Sequence, residues 1–439
     1  MHARLRLAEV VFLVVTVAVL LFNLGETTAG VRIATEDDRA LAESLRDPVK
    51  GLANQNMDFG MGRIYSTPKF QVLGALMREP SDTVHSALRC AAFFLAMLAA
   101  AWFTREWRGS GRVAWLVLCV GVGLAPVSIA YQALISYPLL WLGWAGVWTM
   151  GALALREESV WGRCGMVSAF AFALFVHESN AAFLIWPAML RWSAGGRGAG
   201  KAIGRELLLC GSVLVAYGAF SLWLRHAVLT LTADTVYEGG KLSLRPVEMI
   251  YALNIYTWSG LPGLDSWVTR TSDPSGTLWM SAPAWLHRAV EGATPLVLVG
   301  AVLVGFAIWR GTIRDETTSA RPRAHPAGVF VALCFASFAP NLLLALTVKY
   351  QMWAHQRMWP YYYTSMSYLA WVVLLVGAAF GLLNLVRREA AWRAGRAALA
   401  AAVTIATVGI SGANREAAAL LRRHTFFHMN QYRQWFPPR

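Results

Sequence analysis

The feature that most constrains this chain is the recurrence of apolar stretches about 16 to 22 residues long, the length a helix needs to cross a bilayer. Within hydrocarbon a segment must satisfy its own backbone hydrogen bonds, so such stretches fold as helices packed on one another. Of the 439 residues, 56% are hydrophobic and 15% charged, and mean hydropathy is +0.45, outside the soluble globular range. The expected fold class is an all-α polytopic membrane protein. Its 20 tryptophans accord with that class, because indole rings favour the membrane–water boundary.

About eleven spans are expected, near residues 7–24, 86–104, 113–130, 136–154, 164–177, 180–191, 206–226, 293–309, 328–347, 363–386 and 397–412. The short pair 164–177 and 180–191 also reads as a tilted or re-entrant hairpin. The first run follows Arg4 and Arg6 but lacks a small-x-small site before Asn23, so a retained helix is expected rather than a cleaved signal. With the N-terminus in the cytoplasm, alternate connections carry Arg105, Arg108 and Arg112, then Arg156 and Arg163, then Arg191, Arg197, Lys201 and Arg205. Arg310, Arg314, Arg321 and Arg323 follow, and finally Arg387, Arg388, Arg393 and Arg396. The turns 132–137 and 178–180 hold no Lys or Arg. This positive-inside pattern accounts for the formal charge of +14 without nucleic acid as a partner, and it places 25–85, 227–292 and 348–362 outside.

Residues 1–412 are thus expected to form one bundle, with 413–439 a basic amphipathic tail in which Arg415, Arg422, Arg423 and Arg433 alternate with Leu420, Leu421, Phe426, Phe427 and Trp435. The cysteines, Cys90, Cys119, Cys164, Cys210 and Cys334, are odd in number and show no CxxC spacing. Neither a disulfide framework nor a zinc site is expected.

In the first external segment, Leu41, Leu45, Val49 and Leu52 recur at helical spacing up to a break near Pro48, which predicts an amphipathic surface helix. It opens on Thr35-Glu36-Asp37-Asp38. Thr35 and Asp38 fit a capping pattern, and acids in a first turn complement the helix dipole. Asp37 has no such local assignment. A carboxylate partly desolvated at a membrane surface has a raised pKa and can take a proton from an attacking hydroxyl, so Asp37 and Asp38 are the candidate bases. Further along, Gly60 and Gly62 allow close backbone approach, Arg63 is a candidate phosphate ligand, and Tyr65 lies beside it.

Two more polar clusters fall on the same expected side. His177-Glu178 interrupts an apolar stretch, where ionisable groups are expensive and usually face a cavity or partner. A turn meeting water is the simpler alternative. The third cluster holds Lys349, His355 and Arg357 among aromatics, three cations suited to a lipid phosphate, with Arg357 preferred for its planar fork. In 227–292, carboxylates mix with Tyr256, Trp258, Trp267, Trp279 and Trp285, a composition that suits sugars and lipid equally well. HExxH is absent at His177.

This layout resembles the GT-C superfamily of membrane glycosyltransferases: one helix, then an external loop opening with paired acids and running into amphipathic helices. Glu36-Asp37-Asp38 stands where the family has its acid pair, His177-Glu178 where many members carry a basic residue and an acid, and Arg357 with Pro360 where many have a late arginine before a proline. The resemblance implies inverting transfer of a sugar from a polyprenyl-phosphate carrier to a cell-envelope glycan, lipid or protein, outside the bacterial cytoplasmic membrane. It also implies Asp37 or Asp38 as base, Arg63, Lys349, His355 and Arg357 on the donor phosphate, and Glu36, Tyr65, His177 and Glu178 around them. Some members need a divalent cation such as Mg or Mn, for which Asp37 and Glu178 are the ligands to expect here. The acids depart from the commoner Asp-Glu pair, which leaves the choice of base open. Competing readings are a transporter or flippase for a lipid-linked or anionic solute, and an acyltransferase with His177 as base. The former predicts internal repeats, and no such repeat is legible.

Overall fold

The computed structural model describes residues 7–31, 36–47, 49, 51–53, 55, 59, 63, 66–79, 81–127, 138–156, 159–195, 199–232, 242–264, 280–311, 324–355 and 361–435. Within these, the side chains of 36–40, 66–69, 199, 229–232, 311, 353, 361–364 and 423–435 are not described.

The described chain is helical, with one isolated bridge between Leu242 and Thr347. In order come α1 (Leu7–Thr28), α2 (Glu36–Arg46), α3 (Ser66–Arg78), α4 (Asp82–Arg108), α5 (Gly111–Gly123), α6 (Pro138–Leu155) and α7 (Val160–Val176). A 3-10 helix (Glu178–Ile185) leads into α8 (Trp186–Ala194). Then follow α9 (Ala199–Thr232), α10 (Pro246–Trp258), α11 (Ala282–Gly292), α12 (Pro295–Gly311), α13 (Pro326–Ala345), α14 (Val348–His355), α15 (Tyr361–Leu385) and α16 (Glu389–Trp435). Among the described residues, seven helices are long and apolar enough to cross a membrane (α1, α4, α6, α9, α13, α15 and α16), or eight if α11 and α12, bent by 110°, count as one broken span.

The core is aromatic. α4 and α6 run parallel, so Phe93 meets Trp141 at 4.8 Å and Phe103 meets Trp148 at 5.2 Å. Trp186 of α8 stacks on Phe103, crosses Trp148 edge-on at 5.3 Å, and donates its indole N–H to the Ala332 carbonyl of α13 at 3.0 Å. Gly151 makes room for it, since a Cβ there would lie 2.6 Å from the Trp186 ring. Trp144, Trp148 and Trp186 are therefore interior packing residues rather than boundary anchors, because each side chain is fully buried within the protein.

The expected span 113–130 stops at Gly123. Pro126 lacks an amide hydrogen and disfavours helix at the residue before it. The backbone freed there is satisfied from α16: the Asn414 amide accepts from the Val127 N–H at 2.6 Å and donates to the Ala125 carbonyl at 2.8 Å. α16 has 47 residues, so its helix is about 70 Å long, roughly twice a hydrocarbon core. The tail from Ala413 thus begins as an unbroken continuation of the preceding helix. Arg422 lays its guanidinium on the carbonyls of Thr27 and Ala29 where α1 ends, at 2.9 and 2.8 Å, and Arg415 reaches Thr294 at 2.9 Å. Arg422 thereby closes the C-terminal end of α1, where a basic side chain satisfies the last carbonyls.

The helix ends sort into two groups. One, the arginine end, holds Arg112–Glu9 at 3.3 Å, Arg156–Glu106 at 3.7 Å and the buried Arg191–Glu206 pair at 2.7 Å. There Arg396 also sits between the rings of Trp309 and Trp392. At the other, the loop end, Thr28 and Ser86 join α1 to α4 through hydroxyls 2.5 Å apart, and Arg89 donates to the Val31 carbonyl at 3.1 Å.

Candidate functional site

The first interhelical segment is held to the loop end by a small apolar cluster. Leu41, Ala42 and Leu45 of α2 pack on Phe70, Leu73 and Met77 of α3 and on Leu139 at the start of α6. Gly74 lets the two helices close, since a Cβ there would come within 2.8 Å of the Leu45 side chain. Of the expected apolar stripe, Leu41 and Leu45 join this cluster, while Val49 and Leu52 remain exposed. Glu36, Asp37 and Asp38 form the first turn of α2, where carboxylates complement the helix dipole. Their side chains, and Thr35, Tyr65 and Arg357 altogether, lie outside the described residues.

The same segment touches the second polar cluster. Arg63 Nε donates to Glu178 Oε1 at 3.0 Å. α7 ends at His177, whose extended backbone starts the 3-10 helix and whose Nδ1 accepts from the Ser179 N–H at 3.1 Å. With Nδ1 as acceptor, a neutral ring carries its proton on Nε2. The 3-10 coil rises about 2.0 Å per residue against 1.5 Å for an α-helix, so it lengthens this short descent by roughly 4 Å.

Glu178 lies deep among protein atoms, yet 38% of its side-chain surface stays accessible. Burial opposes its ionisation, but the charge and hydrogen bond of the Arg63 guanidinium lead the contributions that hold the carboxyl well below the usual carboxylate range. The site therefore presents a fixed carboxylate whose charge is balanced by Arg63.

Two residues that sequence reasoning missed belong to the same polar neighbourhood. Tyr217 and Ser221 are one turn apart on one face of α9, with their hydroxyls side by side, and Tyr217 lies within electrostatic reach of both Glu178 and Arg63. Only 6% of the apolar window of α9 is buried in the protein, so this helix forms the outer wall. The available signal was a Tyr and a Ser at i, i+4 inside an apolar span, where polar groups are rarely idle.

The third cluster belongs to a separate unit at α14. Its first turns are sewn to the stretch before α10: Ser243 N–H donates to the Leu346 carbonyl at 2.8 Å, and the Gln351 amide donates to the carbonyls of Ser243 and Ala345 at 2.9 and 2.8 Å. The Tyr256 hydroxyl donates to the Tyr350 carbonyl. His355 stacks on Tyr251 at 4.8 Å, and Lys349 Nζ sits 5.9 Å from the Tyr350 ring. Expected sugar-stacking aromatics nearby are spent on packing, with Trp258 stacked on Trp371 and Trp285 against Gly409. The structure thus joins Arg63, His177 and Glu178 in one site, and joins Lys349 and His355 to the α10–α14 unit.

Glu178 suits a divalent cation poorly, because Arg63 occupies Oε1 and His177 Nδ1 stands 3.7 Å from Oε2. Among the described residues no group of three His, Cys, Asp or Glu side chains forms a metal cluster. The chain matches no family model, no curated protein and no solved structure.

Proposed function

We propose that this chain is a membrane glycosyltransferase that moves a sugar from a polyprenyl-phosphate carrier to a cell-envelope glycan, lipid or protein outside the bacterial cytoplasmic membrane. The observation that carries this reading is the Arg63–Glu178 ion pair, which ties the acid-bearing first segment to the 177–178 turn. Two polar clusters far apart in sequence meet at one end of an apolar bundle, as a site for a polar headgroup requires. The exposed position of α9 supports it further, since a lipid-borne substrate reaches such a site laterally. In this reading the bundle has a GT-C layout of eleven crossings: the seven long helices, the bent α11–α12 pair, and the short α5, α7 and 3-10–α8 segments.

The chemistry is a single displacement. The acceptor hydroxyl attacks the anomeric carbon, its proton passes to Asp37 or Asp38, and the carbon–oxygen bond to phosphate breaks on the opposite face. Polyprenyl phosphate leaves with the electron pair, its charge held by Arg357, Lys349 and His355. Arg63 is engaged by Glu178, so its part is to fix that carboxylate rather than to grip the phosphate.

Proteoliposomes given a radiolabelled polyprenyl-phosphoryl hexose and an envelope extract test this. Covalent label should appear in the acceptor fraction and be lost in the Asp37→Asn, Asp38→Asn double variant. Label that crosses the membrane with no covalent product would instead mean a flippase.

A further inference from the structure

At the arginine end, α1, α5 and α12 enclose a cleft of about 260 Å³, with apolar walls from Phe12, Leu116 and Phe306 and polar side chains from Glu9, Arg112 and Arg310. The polar groups all come from helix ends: Glu9 and Arg112 from the first turns of α1 and α5, Arg310 from the last turn of α12. Deeper in the bundle α1 and α12 pack closely, since a Cβ on Gly300 would lie 3.1 Å from the Leu20 side chain. Nearer the arginine end the Phe12 and Phe306 rings, edge-on with centroids 5.2 Å apart, hold the two helices from closing. Phe306 and Arg310 are exposed, so the cleft opens on the outer surface of the bundle.

Glu9 Oε1 accepts from Arg112 Nη2 at 3.3 Å, and the two side chains keep 23% and 25% of their surface accessible. Two guanidinium groups against one carboxylate leave a single positive charge beside an apolar wall. A phosphodiester carries the matching single negative charge, and guanidinium forks grip its oxygens. Basic pockets between membrane helices suit such headgroups. The cleft is smaller than a site for a drug-sized ligand, about 300–1,000 Å³, so it takes a headgroup and the start of one chain while the rest of the lipid stays in the bilayer.

We infer that this cleft binds an anionic phospholipid of the leaflet at the arginine end, its phosphate on Arg112 and Arg310 and an acyl chain along Phe12, Leu116 and Phe306. Bound there, the lipid joins α5 to α12 through its phosphate. The site lies at the opposite end of the bundle from Glu178 and does not depend on the glycosyltransferase reading.

The test is equilibrium binding of phosphatidylglycerol and phosphatidylethanolamine to the delipidated full chain in a non-ionic detergent, read by native mass spectrometry. Phosphatidylglycerol should bind more tightly. Arg310→Gln should weaken its binding by about fivefold, the worth of one basic residue facing an anionic headgroup. Arg388→Gln, at the same end but outside the cleft, should leave it unchanged. Ala8→Trp keeps every charge and fills the cleft from an exposed lining position, so it should abolish phosphatidylglycerol binding. Phosphatidylethanolamine bound as tightly, an equal loss from Arg388→Gln, or unchanged binding in Arg310→Gln or Ala8→Trp would overturn the site. So would the absence of phosphatidylglycerol binding to the wild type, or its displacement by matched glycerol 3-phosphate, which offers the phosphate without the chain.

Discussion

Arg63 and Glu178, 115 residues apart in the chain, meet side chain to side chain at 3.0 Å. The contact fixes the first interhelical segment against the turn that follows α7. It also sets the charge state of the carboxylate.

The first prediction concerns pH. Because the folded-state pKa of Glu178 is depressed, its contribution to stability is fully present above its unfolded value of about 4.3 and is lost as pH falls through the lower folded value. Between pH 5 and 9 the wild type should show no transition from this group. Arg63→Gln removes the main opposing charge and leaves burial in control, which raises the pKa. Stability of that variant should then increase on acidification through the raised pKa. Melting temperatures across pH 4 to 8 read out both signs.

Asn414 offers a sharper stability test. Its buried amide satisfies one donor and one acceptor of the chain where α5 has ended. Asn414→Leu should cost roughly 2–4 kcal/mol, since both backbone groups are left unpaired in an apolar interior. Asn414→Asp keeps the acceptor for Val127 and loses the donor to Ala125, so it still disrupts the site. Chemical unfolding followed by tryptophan fluorescence measures the difference.

How much of this was legible beforehand differs by element. Apolar run length places the helices well, since a bilayer-sized stretch has few other folds open to it. Boundaries set by one residue were less visible: Pro126 ends α5 early, and the 3-10 turn from Glu178 is invisible to helical periodicity. The Arg63–Glu178 and Asn414 contacts are tertiary, and no local pattern encodes a partner more than a hundred residues away. Tyr217 and Ser221 were overlooked because α9 reads as an ordinary span, although their spacing put both on one face. The role of Arg422 was not legible because its partners are backbone carbonyls, which a sequence does not display.

A third prediction follows from those carbonyls. Arg422 bonds the carbonyls of Thr27 and Ala29 at the end of α1. Arg422→Ala should destabilise the protein by about 1.5–3 kcal/mol, as expected for hydrogen bonds to a charged donor, and should free the α1 terminus to exchange amide hydrogens faster. Arg422→Lys should recover only part of the loss, because an ammonium lacks the planar fork. Thermal unfolding with hydrogen exchange at residues 25–31 checks it.

The central claim, that separate polar clusters converge on one outward face, is tested most directly by where they react. In a background with the five cysteines replaced, Asp37→Cys, Glu178→Cys and Arg357→Cys are labelled one at a time with a membrane-impermeant maleimide added to intact spheroplasts. All three should label without permeabilisation, whereas a control at Arg191→Cys should require it. If Glu178→Cys or Arg357→Cys reacts only after the membrane is opened while Asp37→Cys reacts before, the clusters lie on opposite faces and the shared site does not exist.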